Sequence, residues 1–323
     1  MPALSPARAP LTTAATPPSS PALARAATRT LTLSSLTQQA GYRRLQNLVI
    51  YSSLWLSAGL ASMALFTAHA LGLSWNLGPA MLVFASSMFI YNLDHVADAQ
   101  IEAGKAASGY FERASVLLLV LCSGVATAVM FAMAPAAARV VFLGYLSVGL
   151  VYGIPLLPIV TADGLRWFRL KDIPGAKGWI VAAAITLAVV GLPLAWSGAT
   201  LGMDGLWVAA FFFTFVASGA HMCDVRDVDD DRASGVRTLP IQAGVAGTKT
   251  VLIWMNLGML CLMMVGALGG VTGPHPEFAL VVAATILYVR YIDEDSPEEA
   301  FNIMLDGCFY LPAPLGVLHE VLH

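Results

Sequence analysis

Five aspartates crowd into eight residues of the stretch CDVRDVDDDRASGVRTLPIQA, residues 223–243: Asp224, Asp227, Asp229, Asp230 and Asp231. A second acidic stretch, YNLDHVADAQIE at 91–102, sets Asp94 and Asp98 four residues apart, with Asn92 and His95 beside them. A four-residue step places both carboxylates on one face of a helix. Asp227 and Asp231 repeat that step, and Asp224 precedes them by one turn. Like charges at this spacing oppose a helix by roughly 0.2–0.5 kcal/mol per pair, and by more where water is scarce. Either the carboxyls hold protons or a cation neutralises them. Carboxylate oxygens select hard cations, and Mg²⁺ is typically held by one or two of them together with substrate phosphates. Asp94, Asp98, Asp224, Asp227 and Asp231 are therefore candidate metal ligands for Mg²⁺ with a diphosphate between the two groups. The plain alternative is two solvated helix ends. A calcium-binding EF-hand loop does not fit, because Arg232 stands where its glycine belongs and Thr238 where its terminal glutamate belongs.

Basic residues accompany the acids. RWFRLKDIPGAK, residues 166–177, supplies Arg169, Lys171 and Lys177, while Arg226, Arg232 and Arg237 interleave with the second cluster. Guanidinium and ammonium groups bind phosphate oxygens well, so Lys177, Arg226 and Arg232 are candidate diphosphate ligands. Lys177 stands out because it opens an apolar run. Asp306, within FNIMLDGCFY, is an ionisable group inside another apolar run and a candidate substrate-binding residue by that fact. Cys122, Cys223, Cys261 and Cys308 show no CxxC spacing and read as small buried apolar residues.

The elements carrying these residues must lie in a membrane. Of 323 residues 58% are hydrophobic and 11% charged, against about 25% charged in a soluble domain; the mean hydropathy is +0.73. A span needs about 20 mostly apolar residues, and such runs lie near 47–71, 78–94, 114–134, 138–158, 178–198, 204–222, 250–270, 277–291 and 302–320. The expected fold is all-α: an integral membrane bundle of about nine transmembrane helices. Spans 1–4 and 5–8 could be two four-helix pseudo-repeats, with one helix added. With this count every one of the 17 Lys and Arg residues except Arg139 falls on the side of the N-terminus. Such asymmetry marks the cytoplasmic side, and both acidic motifs open there. A net charge of −3 gives no reason to expect nucleic acid. Residues 1–44, rich in Ala, Pro, Ser and Thr, lack the apolar core of a secretory signal. They read as a disordered cytoplasmic tail, or else an organellar transit peptide, ahead of one transmembrane domain at 45–323. A bacterial inner membrane is the expected location.

DVRDVDDDRASGVRTLPIQAG resembles the second DxxxD signature of the UbiA-type superfamily of intramembrane prenyltransferases, with Asp227 and Asp231 as the pair. RLKDIPGAKGWIVA is similar to that superfamily's stretch leading into its fifth helix, and the resemblance covers about residues 40–320. The first motif departs from the usual NxxxDxxxD form: Ile90 stands where the Asn belongs, with Asn92 two residues before Asp94. That marks a divergent branch. The resemblance implies Asp94, Asp98, Asp227 and Asp231 as catalytic residues and Mg²⁺ as cofactor. The partners would be a prenyl diphosphate donor, a lipid-soluble acceptor and membrane lipid. Asn92, Lys177, Arg226, Arg232, Tyr152 and Asp306 would then face substrate, with Tyr91, Tyr152 and Trp179 offering aromatic faces to an allylic cation. The expected reaction is transfer of an isoprenyl group to a lipid-soluble, aromatic acceptor. Two rivals stand beside it: a membrane terpene cyclase, in which the donor's own double bond traps the cation, and a cation transporter. Transporters place ionisable groups near the midplane, whereas here nearly all lie at helix ends.

Overall fold

The computed structural model describes residues 48–50, 52–101, 113–161, 164–270, 276–297 and 299–316. The tail at 1–44 lies outside them. Six helices are long and apolar enough to cross a membrane: α2 within Leu77–Ile101, α3 (Arg113–Met133), α4 (Ala136–Gly153), α5 (Lys177–Ser197), α6 (Met203–Arg226) and α8 (Leu239–Leu268). A shorter apolar helix, α1 (Leu54–Ala70), precedes them, α7 (Val228–Ser234) follows α6, and α9 (Pro276–Tyr291) follows α8. The last expected span is irregular, a π-helical turn at Ala300–Leu305 followed by a 3₁₀ turn at Cys308–Tyr310. This is an all-α membrane bundle: α1–α6, α8 and α9 fall on eight of the nine apolar runs read from the sequence, and the π-helical and 3₁₀ turns lie on the ninth.

Two boundaries and the interior of one helix differ from the sequence reading for a local reason. The fourth span stops at Gly153, where Pro155 and Pro158 follow, since proline lacks the N–H a helix needs. Beyond it an antiparallel hairpin forms, β1 (Leu157–Thr161) against β2 (Gly164–Phe168), with Val160 opposite Leu165. The seventh span begins eleven residues early, at Leu239 rather than 250, because Thr238 and Pro240 open a helix. Gly244, at φ 73°, breaks that helix after its first turn, a backbone state only glycine adopts freely. In α5 a π-helical turn at Leu187–Gly191 stands just before Pro193, where it relieves the clash between the ring and the preceding turn.

Of the six spans α6 is the most buried and α3 the least. Around α6 an aromatic cluster fills the core: Phe66 meets Phe278 edge-on at 5.2 Å, Phe211 lies 4.4 Å from Phe278, and Phe215 meets Phe309 at 5.5 Å. Several hydroxyls inside the helices return their protons to the carbonyl one turn back, as Thr67 does to Met63, Ser86 to Leu82 and Thr285 to Val281. No water is needed to satisfy them. Arg139 donates to the carbonyls of Ala132 and Ala134 at 2.7 and 2.8 Å. It caps the open end of α3, where a cation is favoured.

Candidate active site

Polar groups gather where α6 ends. Asp224 is 1% exposed and holds a partner on each oxygen. Oδ1 accepts from Lys177 Nζ at 3.1 Å, and Oδ2 faces His221 Nδ1 at 3.2 Å. Lys177 also donates to both oxygens of Asp231, at 3.3 and 3.4 Å. The ammonium that opens α5 is thus clamped between a carboxylate on the last turn of α6 and another on α7. Gly178 permits the approach: a Cβ there would lie 2.6 Å from the His221 ring.

Asp227 sits at the junction where α6 stops and α7 starts, with its backbone outside the helical region. The backbone bond from Asp231 N–H to the Asp227 carbonyl, 2.8 Å, preserves the four-residue step. The side chains nonetheless part company, because α6 breaks at Asp227 and leaves its backbone outside the helix that carries Asp231. Asp231 shares Lys177 with Asp224, whereas Asp227 takes the Arg226 guanidinium at 2.6 and 3.0 Å. Arg226 reaches on to Asn302 Oδ1 at 2.7 Å, tying the last segment to α6. Asp306, one turn beyond Asn302, is half-buried within electrostatic range of Arg226.

The first motif is held separately. Asp94 Oδ1 accepts from Lys171 Nζ at 2.9 Å, and Lys171 lies 5.7 Å from the centre of the Tyr152 ring. The Asp94 carboxylate passes directly over Gly153, where any side chain would collide with it. Asn92 is buried and donates to the Ser52 and Met88 carbonyls at 3.0 and 2.7 Å, fixing α2 to the chain before α1. α2 continues as helix through Asp98, whose side chain lies outside the described atoms. Lys171 and Lys177 are six residues apart, a length of chain that spans at most about 20 Å. One short segment therefore reaches both acidic motifs.

Not every expected residue joins. Arg232 pairs with Asp229 at 2.6 Å on the open face of α7, with side chains 64% and 90% exposed, and such pairs contribute little. Arg169 turns to Asp172, whose carboxylate accepts from its backbone N–H and its guanidinium. Burial raises the Asp172 carboxyl, but the Arg169 bonds outweigh it and hold the group below the usual range. Asp231 goes the other way. Burial, Asp224 and Asp227 push it up further than Lys177 pulls it down. Trp179 meets His221 edge-on at 4.6 Å and stacks on Phe213 at 6.0 Å. His221, Asn302, Gly153 and Gly178 escaped the sequence reading. Two had a legible signal, His221 one turn before Asp224 and Asn302 one turn before Asp306.

Among the described residues no three His, Cys, Asp or Glu side chains converge tightly enough to hold a metal by themselves. The donor chemistry still fits one: every described carboxylate of the two motifs that lies inward already has a cationic partner in Lys171, Lys177 or Arg226. An oxygen set of this kind suits a hard cation that completes its shell with phosphate and water.

Residues 105–310, well over half of the chain, match the model of the UbiA prenyltransferase family. The chain belongs to that family. Among curated UbiA-type relatives it is similar to protoheme IX farnesyltransferase 2 of Natronomonas pharaonis, 26% identical over 150 residues. That stretch covers 46% of this chain and only 30% of the relative, so the chain spans under a third of the relative's length. A UbiA homologue from Archaeoglobus fulgidus has the same fold, at TM-score 0.56 and 16% identity over 85% of this chain and 98% of that one. A structure of that homologue bound to DMAPP and Mg²⁺ also gives 0.56, at 14% identity over 86% and 99%. The apo homologue from Aeropyrum pernix K1 gives 0.55, at 17% identity over 81% and 95%. Six apolar spans and UbiA membership make this a multi-pass integral membrane protein of the prenyltransferase kind.

Proposed function

We propose that the protein transfers an isoprenyl group from a prenyl diphosphate to a lipid-soluble, aromatic acceptor in the bilayer, with Mg²⁺ as cofactor. The observation that carries this reading is the pairing of carboxylates and lysines at the ends of α2, α6 and α7: Asp94 with Lys171, and Asp224 and Asp231 with Lys177. Buried ion pairs are costly to maintain for stability alone. Here the lysines occupy the ground that metal and phosphate would share, and each can swing from carboxylate to phosphate oxygen. The A. fulgidus homologue, solved with DMAPP and with GPP together with Mg²⁺, supports the same assignment.

In this reading Asp94 and Asp98 would hold one metal, and Asp224, Asp227 and Asp231 the other. Bound Mg²⁺ neutralises the diphosphate and so eases its departure. The rest falls to the chain. Lys171 and Lys177 stabilise the charge that develops on the leaving oxygen. Arg226 keeps Asp227 aimed, and its bond to Asn302 brings Asp306 alongside, where it can accept the proton the acceptor gives up. Tyr152 shields an allylic cation. The apolar tail lies among the spans, open to lipid. The surplus of Lys and Arg on one side sets this mouth toward the cytoplasm, with residues 45–323 as the working domain behind a 1–44 tail.

The test uses purified protein with a panel of prenyl diphosphates, Mg²⁺ and candidate aromatic acceptors, read by mass spectrometry. Mg²⁺-dependent diphosphate release with a prenylated acceptor is the expected result. A cyclic hydrocarbon formed without acceptor would make the protein a cyclase instead. Metal flux in liposomes with no release from any donor would make it a transporter.

A further inference from the structure

His221 is the one buried imidazole among the described residues of the diphosphate-facing cluster, and the proposed reaction leaves it without a task. It sits on α6, fully buried. Its Nδ1 faces Asp224 Oδ2 at 3.2 Å, while Nε2 is buried with no hydrogen-bond partner. Asp224 already accepts from Lys177 on its other oxygen and acts as a carboxylate, so the hydrogen between ring and carboxylate belongs to Nδ1. A proton on Nε2 as well would leave a buried N–H unpaired, at substantial cost. The neutral Nδ1–H tautomer satisfies both constraints. The ring is wedged between Trp179, edge-on at 4.6 Å, and the bare Cα of Gly178. It therefore has one polar contact and no freedom to leave it.

We infer that His221 is a positioning residue of the diphosphate site: by donating from Nδ1 to Asp224 Oδ2 it fixes the carboxylate so that Oδ1 faces Lys177 and the mouth of the bundle. Without that bond Asp224 can rotate about its side chain, and the oxygen presented to the mouth is no longer fixed. Outer partners of this sort, which orient a ligating group without touching the metal, commonly change affinity by about 10–100-fold when lost. The inference rests on the proposed prenyl diphosphate site and deepens it.

Two isosteric replacements separate positioning from mere packing. Asn carries its amide nitrogen near the place of Nδ1, whereas Gln carries it near Nε2. H221N should keep Mg²⁺-pyrophosphate affinity and the KM for the prenyl diphosphate close to those of the parent. H221Q should weaken both by about 10–100-fold. G178A, whose added methyl meets the ring, should reproduce H221Q without altering any polar group. Calorimetric titration of detergent-purified protein with Mg²⁺ and pyrophosphate reads affinity directly, and melting temperatures show whether each variant is folded. If H221N and H221Q behave alike, in either direction, the positioning role is wrong while the site stands. If the parent protein binds no Mg²⁺-pyrophosphate, the proposed function fails first and takes this inference with it.

Discussion

Lys177 is the residue on which the second acidic motif closes, because its ammonium touches Asp224 and Asp231 together. Replacing Asp231 by Asn keeps the shape and removes one charge; donor turnover should fall by about 100-fold or more, the usual cost of losing a preorganised electrostatic partner. Fold should survive, since the neutral side chain still accepts from Lys177. The raised Asp231 carboxyl also gives a signed pH dependence. A group whose folded pKa exceeds its unfolded value binds more protons in the native state over the interval between them, so stability falls as pH rises through it. Metal-free protein should therefore lose from this group a part of its stability as pH climbs above the ordinary aspartate range, about 4, through the raised value. Mg²⁺, by favouring the ionised form, should restore it. Melting curves of the parent and D231N, with EDTA and with Mg²⁺, check this: the pH slope should differ between the two in EDTA and converge in Mg²⁺. Arg226 offers a third residue-level test. Its planar fork holds Asp227 and Asn302 at once, which a lysine cannot do. R226K should lower stability by roughly 1.5–3 kcal/mol, the worth of a charged hydrogen bond, and free the last segment to proteolysis.

Elements set which carboxylates meet. α6 ends at Asp227 rather than running on, and that single break sends Asp227 to Arg226 and Asp231 to Lys177. The four-residue spacing was plain in the sequence, but the break was not, because no Pro or Gly marks it. Helix existence was legible throughout, since each span announced itself by apolar length. The hairpin at 157–168 was hidden for the same reason: its apolar residues, among them Val160, Leu165 and Trp167, read as the tail of a span and a loop although they stand exposed. Close approaches were hidden as well, because a glycine says nothing of what passes over it. Gly153 is such a place, where Asp94 crosses α4. G153A should push that carboxylate aside, break the pair with Lys171 and raise the KM for the prenyl diphosphate with little change in melting temperature. Arg139, which caps α3, makes the contrasting case. R139A should cost roughly 1 kcal/mol in stability and leave donor KM unchanged.

At the scale of the whole molecule, six apolar spans and their flanking helices bring two sets of carboxylates to the ends of one bundle, each already met by a cation of the chain itself. In the proposed reading a metal-bound diphosphate is the reason a hydrophobic protein concentrates charge there, and the chain's own lysines neutralise that charge in its absence. Asn92, buried against the carbonyls of Ser52 and Met88, ties α2 to the chain before α1. The most direct measurement is release of diphosphate from a prenyl donor by the purified protein, with and without Mg²⁺, compared between the parent and variants carrying Asp94→Asn or Asp231→Asn. The account predicts release only with Mg²⁺ and its near-complete loss in both folded variants. Undiminished release in either variant, or release that ignores Mg²⁺, would contradict it.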